Sequence, residues 1–298
     1  MHDTPLLKTT LLTCLALIAF AANSVLCRLA LGDVAIDASS FTGLRLLSGA
    51  ISLFIILALK GGLKGNKVAI ASKGSWGAAF VLFIYAVTFS YAYLSVDTGT
   101  GALILFGAVQ ITMIMLSIIA GTRLYLIEWS GVVLAFSGFI YLVLPNISTP
   151  SFNGFILMTI SGIAWGIYTL KGRQSKYPLM DTTYNFIRTI PFVILLTIIT
   201  MHDMEYTVEG IILALISGAI TSGVGYTIWY IALGGLSSTQ AAVIQLSVPV
   251  IAAIGGVIFV SEVITMRLVV STTVVLTGIL MVVLGKYYFI SKNIKLNS

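Results

Sequence analysis

Charge is what this sequence has least of. Only 9% of its 298 residues are charged, against 58% that are hydrophobic, and the mean hydropathy is +1.07. A soluble domain carries roughly a quarter of its residues as Asp, Glu, Lys or Arg, so a soluble globular fold is excluded. With two histidines, His2 and His202, and two cysteines, Cys14 and Cys27, there is no metal-ligand cluster. No Gly-rich phosphate loop or nucleophile elbow occurs either. An enzyme is therefore not expected, nor is a cofactor or a metal. The cysteines fall on one expected helix, thirteen residues apart. That is about 20 Å at 1.5 Å per residue, too far for a disulfide within the helix. Carboxylates are missing from the middle of every apolar run: Asp97, Glu128, Asp181 and Glu262 all lie at or near run ends. A buried carboxylate is the usual means of coupling a proton to a substrate, so simple glutamate-based antiport has no support. Facilitated diffusion, exchange and coupling through an end-placed carboxylate stay open.

What is present is a succession of apolar runs. About 20 such residues cross a bilayer core of roughly 30 Å. Reading the runs against charges and turn residues predicts spans near 7–27, 38–59, 75–94, 100–120 and 125–145. Five more follow near 153–171, 181–201, 208–233, 239–260 and 267–290. Gly61-Gly62, Asp97-Thr98-Gly99, Pro145-Asn146, Tyr177-Pro178 and Gly234-Gly235 separate them. Lys8 and Ala19-Phe20-Ala21 look like a cleaved signal peptide, but losing the first helix would leave nine spans and break the symmetry described next. No linker is long enough for a soluble domain, which leaves a membrane sensor or scaffold without a signalling module.

With the N-terminus in the cytoplasm, twelve of the 16 basic residues fall on the inner side: Lys8, Lys60, Lys64, Lys67, Lys73, Arg123, Lys171, Arg173, Lys176, Lys286, Lys292 and Lys295. Only Arg28 and Arg267 fall outside. This asymmetry, and not nucleic-acid binding, accounts for the formal charge of +6, and it places both termini in the cytoplasm.

The halves also repeat at spacings of about 139 to 145 residues. Phe41-Thr42-Gly43-Leu44-Arg45 returns as Tyr184-Asn185-Phe186-Ile187-Arg188, and Tyr91-Ala92-Tyr93-Leu94 as Tyr230-Ile231-Ala232-Leu233. Ser137-Gly138-Phe139-Ile140 is echoed by Thr277-Gly278-Ile279-Leu280. Five spans per copy, an odd number, make the second copy enter the membrane inverted. The expected fold is all-α and integral to the membrane, ten helices as two inverted five-helix repeats over 1–146 and 147–298. Inverted repeats let two similar halves rock about a site near the midplane.

Ala164-Trp165-Gly166, the span-2 and span-7 arginines, Ser261-Glu262 before span 10 and Gln245-Leu246-Ser247-Val248-Pro249-Val250 in span 9 resemble the ten-helix EamA-type members of the drug/metabolite transporter superfamily. Two positions depart from that pattern. Phe20 stands where the first copy often has Trp, and Thr122 stands where the second copy has Glu262. The resemblance implies a central cavity framed mainly by spans 1, 3, 4, 6, 8 and 9, with spans 5 and 10 peripheral. It also implies a bacterial inner-membrane protein that exports or exchanges metabolites such as amino acids, with import as the alternative.

Candidate site residues follow from depth and chemistry. Arg45 and Arg188 are the only basic residues inside spans, roughly 10 Å deep. Such a charge must be paired or hydrated, either by a substrate carboxylate or, as structural glue, by helix-end carbonyls. The carrier helices are peripheral in the expected cavity, which favours the glue. Gln110 in span 4 and Gln245 in span 9 need polar partners. Pro249 is expected to break a hydrogen bond within span 9 and free a carbonyl. Tyr226, Trp229 and Tyr230 share one face of span 8 at i, i+3 and i+4. Tyr85, and Trp165 with Tyr168, add rings on spans 3 and 6, and Asn23 adds an amide on span 1. Rings with a polar tip suit a pocket for amphipathic molecules, whereas Tyr91 and Tyr230, near helix ends, suit the interfacial belt. Gly131, Gly138, Gly218, Ser222 and Gly225 are expected to let helices pack closely. The expected partners are a small molecule and the lipid bilayer; oligomeric state is not legible.

Overall fold

The structure, a computed structural model, describes residues 6–32, 34–60, 74–119, 121, 124–143, 151–173, 175, 177–202, 204–233, 235–236 and 244–296. Ten helices make up these residues. They are α1 (Leu6–Gly32), α2 (Ala38–Leu59), α3 (Trp76–Tyr93), α4 (Thr98–Ile119) and α5 (Leu126–Val143), then α6 (Phe152–Arg173), α7 (Pro178–Thr200), α8 (Val208–Leu233), α9 (Val248–Val260) and α10 (Met266–Leu296). Eight are long and apolar enough to cross a membrane; the apolar stretches Leu126–Leu142 of α5 and Val248–Val260 of α9 are shorter. The described helices begin and end close to the predicted limits, and residues 239–243, the predicted start of span 9, lie outside the described residues. The expected breakers Gly61-Gly62, Pro145-Asn146 and Gly234, with Thr122, Lys64, Lys67, Lys73, Arg123 and Lys176, lie outside the described residues.

Short polar side chains start the helices by satisfying their first backbone N–H groups. Asp37 accepts from the amides of Ser39 and Ser40 at α2, Ser75 from Ala78 at α3 and Ser151 from Gly154 at α6. Thr207 accepts from Gly210 at α8, and Thr265 from Leu268 at α10. Asp37 also accepts from the Glu205 amide, beside a single antiparallel bridge between Ile36 and Tyr206. Partial burial pushes its carboxyl pKa up, but the hydrogen bonds from Ser39 and Ser40 outweigh that and hold it below the usual carboxylate value. The stability this adds is present above the unfolded-state value and lost as pH falls through the folded one.

Both faces of the helices are apolar. On α1, Leu7, Leu11, Leu15 and Ile18 are exposed, while Ala16, Leu17 and Phe20 are buried. This is the pattern of a helix with lipid on one side and protein on the other. With lipid as apolar as leucine, close contact depends on small residues. A Cβ on Gly131 would lie 2.5 Å from the Gly278 carbonyl oxygen, and one on Gly138 2.7 Å from Val275, so α5 packs tightly on α10. At Gly218 the backbone of α8 touches that of α2 at Arg45, and at Gly225 it meets Ala19 of α1. The close-packing role expected of these glycines matches their contacts. Around the first of these contacts, Ser217–Val224 winds as a π-helix inside α8, and Ser52 of α2 donates to the Ala219 carbonyl at 2.9 Å. Sequence periodicity gave no sign of it.

Span 9 is described from residue 244 onward. Its described helix starts at Val248, with Ser247 before it and Pro249 in the first turn. Proline is tolerated there because that N–H has no intrahelical acceptor. Pro249 stands in the first turn of this described helix, after helical residues 244–245 and a turn at 246–247, and residues 237–243 lie outside the described residues. α1 packs into the core. Phe20 packs edge-on against Tyr226 and Trp229, and Asn23 is bonded to α8. Cys14 is exposed, Cys27 is buried and both are free thiols.

Candidate functional site

A cavity lies at mid-depth among α1, α3, α4, α6 and the π-helical part of α8. It is small, about 20 Å³, room for little more than one water. Aromatic rings form most of the wall: Phe20, Tyr85, Phe89, Phe106, Trp165 and Tyr226. Trp165 is central to them, with ring centroids 4.8 Å from Tyr85, 5.0 Å from Tyr226 and 5.6 Å from Tyr168, the last nearly parallel.

The polar part comes from Asn23, Ser24, Thr221 and Ser222. The Asn23 Oδ1 accepts from Ser217 at 2.7 Å and Thr221 at 3.1 Å. The Ser217 hydroxyl orients the amide, while the single Thr221 hydroxyl hydrogen is shared with the Ser217 carbonyl at 2.6 Å. The π-helix has a structural part here, since its widened turn carries Ser217, Thr221 and Ser222 together.

Arg45 stands directly behind this wall and is 2% exposed. Its Nη2 donates to the Tyr85 hydroxyl at 2.8 Å and its Nε to Ser222 Oγ at 3.5 Å. The guanidinium carbon sits 4.7 Å from the Phe89 ring centroid and 5.1 Å from that of Tyr85. The expectation that a peripheral helix would spend this charge on helix-end carbonyls does not match its contacts. Arg188 is different: it is half-buried and lies 5.8 Å from the Trp76 ring, away from the cavity.

The other predicted residues divide likewise. Tyr85, Trp165, Tyr226 and Asn23 meet at the cavity, while Tyr168 and Trp229 stand one layer back. Tyr168 is within 3.5 Å of the Asn185 amide. Gln110 is buried on α4 but outside the lining, and Gln245 and Pro249 are also outside it. The described part of span 9, which was expected to frame the cavity, supplies none of the lining residues. Tyr230, half-buried near the end of α8, accepts a hydrogen bond from Thr182 of α7 at 3.3 Å.

A cluster that sequence reasoning left as separate end charges closes one end of the bundle. Arg28 donates to Glu262 at 3.2 Å and to the Tyr93 carbonyl at 2.9 Å, and lies 3.7 Å from Asp97. Glu262 accepts the Thr98 backbone N–H at 2.9 and 3.0 Å and the Thr98 hydroxyl at 3.1 Å. Ser261, left-handed at φ 57°, ends α9 and turns Glu262 back over it, and the Glu262 N–H bonds the Gly256 carbonyl. One carboxylate thus ties α1, the α3–α4 turn and the α9–α10 turn. At the opposite end Asp181 accepts from the Gly74 amide at 2.9 Å and Asn185 from the Ser75 amide at 2.9 Å, joining α7 to the start of α3.

Charge-assisted hydrogen bonds contribute about 1.5–3 kcal/mol each, and partial exposure keeps this cluster near the lower figure. Glu262→Gln keeps the shape but removes the charge. Amide hydrogen exchange over 98–101 is expected to rise about tenfold. Unchanged exchange would mean that the cluster does not hold this end shut.

Glu128 is buried at the start of α5, with Oε2 accepting the Tyr125 N–H at 2.6 Å. This carboxylate caps its own helix, away from the cavity. Among the described residues no group of three or more His, Cys, Asp and Glu could hold a metal ion.

Residues 152–284 match the EamA-like transporter family. An uncharacterized Pseudomonas aeruginosa protein is 46% identical over 275 residues, 92% of this chain and 94% of its own. An uncharacterized transporter of Archaeoglobus fulgidus is 27% identical, over 83% of this chain and 87% of its own. The uncharacterized transporter YoaV of Bacillus subtilis is 19% identical, over 81% and 85%. A solved crystal structure superimposes with a TM-score of 0.62 at 16% identity, covering 90% of this chain and 95% of its own, a likeness of fold. With an all-helical apolar fold, an aromatic cavity and these relatives, the chain belongs to the EamA-like transporter family of the drug/metabolite transporter superfamily and is a multi-pass membrane transporter.

Proposed function

We propose that the protein exports small organic metabolites, amino acids or related compounds, across the bacterial inner membrane by alternating access through the cavity beside Trp165. The observation that carries this reading is the placement of that cavity between two closed ends, the Arg28–Glu262 cluster and the Asp181–Asn185 contacts. A carrier opens such ends in turn. Rings with polar tips suit an amphipathic solute of modest size. Import or obligate exchange uses the same parts, since direction is set by gradients. The halves 1–146 and 147–298 are the units that rock against each other as inverted repeats.

The positive-inside rule sets orientation. It assigns the Asp181 end, beside Lys171, to the cytoplasm, the Arg28 end to the outside and both termini to the cytoplasm. Reporter fusions after residues 66 and 205 should therefore read inside and outside respectively. The same side for both would defeat the arrangement.

Transport itself is tested in liposomes. Metabolites that raise the melting temperature of the purified protein are loaded for counterflow, with and without a pH gradient. No carboxylate lines the cavity, so counterflow is expected with only a modest pH effect. Absence of flux for every stabilising compound would end the transport reading; strict dependence on the gradient would turn attention to Asp97, Glu128 and Glu262.

A further inference from the structure

We infer that Arg45 is the carboxylate anchor of the transported substrate, which fixes the substrate class as organic acids with a flat apolar or aromatic body. The inference rests on the transport reading above for the cavity's role as the substrate site. An arginine keeps its charge at any depth. A buried charge without a counter-ion costs several kcal/mol unless something compensates it. No described carboxylate lies within 4 Å of the Arg45 guanidinium. Arg28, at the closed end, is by contrast paired with Asp97 and Glu262.

Arg45 is compensated only in part by the Tyr85 and Ser222 hydroxyls and by the faces of Phe89 and Tyr85. Its Nη1 is buried and has no hydrogen-bond partner. Buried guanidinium donors are nearly always satisfied, so an idle Nη1 points to a partner that comes and goes. The groups that hold Arg45, namely Tyr85, Phe89 and Ser222, all line the cavity. On the same wall Asn23 accepts at Oδ1 from Ser217 and from Thr221, next in sequence to Ser222. An idle guanidinium donor beside a lining without an acidic side chain calls for an anion. A carboxylate accepts from a guanidinium with the strength of a charge-assisted bond. The rings of Trp165, Tyr85 and Tyr226 then take the body of the molecule, or an α-ammonium group over their faces. The carboxylate reaches Nη1 as the Tyr85 and Ser222 side chains yield, since these two both hold the guanidinium and line the cavity.

The test uses the purified full chain and two probes of the same shape, phenylacetate and its neutral amide phenylacetamide. Phenylacetate is expected to stabilise the wild-type protein in the millimolar range and phenylacetamide to need about tenfold more, since a site built for a charged acceptor rejects its neutral isostere. Arg45→Lys should keep part of the preference and Arg45→Gln none of it. Equal binding of acid and amide, no binding of the acid, or full preference in Arg45→Gln would overturn the inference. The comparison on the wild type needs no variant, so a variant that fails to fold leaves the test intact. Liposome counterflow of labelled phenylacetate separates the two ideas. Arg45-dependent binding without flux would defeat the transport reading and leave the anchor standing. Flux of phenylacetamide equal to phenylacetate would do the reverse.

Discussion

Gly218→Ala is expected to remove most of the folded protein recovered in detergent. A Cβ at this position would collide with the Arg45 carbonyl oxygen and with Ser48 Oγ. The Ser48 side chain can rotate, but the carbonyl is α2 backbone and can yield only if the helices part. Overfilling a tight contact costs about 1–3 kcal/mol even where side chains adjust, and net stabilities are only about 5–15 kcal/mol. Displacement of α2 would also pull Arg45 from Tyr85 and Ser222. Gly278→Ala, whose Cβ would lie 2.5 Å from the Ala135 nitrogen and the Gly131 oxygen, should do similar harm on the α5–α10 side. Gly77→Ala is the control, since its nearest atom is the end of Lys171 at 3.5 Å. Yield and melting temperature measured together decide the matter: a Gly218→Ala protein that accumulates and melts like wild type would show that the helices have slack there.

Trp165→Leu should do the opposite, leaving yield nearly intact while weakening the binding of any stabilising metabolite about thirtyfold. The estimate comes from its ring contacts with Tyr85, Tyr226 and Tyr168. Aromatic pairs contribute about 0.5–1.5 kcal/mol each beyond area burial, so loss of the ring surface facing the ligand corresponds to about 2 kcal/mol. Tyr226→Phe keeps the ring and should change affinity less. Gln245→Leu, outside the lining, should leave affinity close to wild type. A Gln245 variant that loses binding while Trp165→Leu keeps it would move the pocket to α9.

The two predictions mark where the sequence was legible. Gly131, Gly138, Gly218 and Gly225 could be assigned to close packing because small residues in an apolar helix have few other uses. Tyr85, Trp165, Tyr226 and Asn23 were found by their polar tips. Gln110 and Gln245 were selected by the same rule, and Pro249 for its missing N–H, yet all three stand outside the wall, because depth along a helix says nothing about rotation around it. Arg45 was assigned to structural glue because its helix seemed peripheral, but α2 presses on the π-helical turn of α8 and delivers the side chain to the cavity's edge.

By itself the sequence determined residence in the bilayer, ten helices with their approximate limits, and the family. Those properties are written locally, in runs of about 20 apolar residues and in the Asp, Ser and Thr caps between them. Only the tertiary structure decided which side chains meet. Arg45 reaches Ser222 across 177 positions, Asn23 reaches Ser217 across 194 and Arg28 reaches Glu262 across 234. The physical reason is that lipid and protein interior are equally apolar, so the pattern along one helix does not reveal which face turns inward. Backbone contact at glycines sets that rotation, and it exists only once the neighbouring helix is in place.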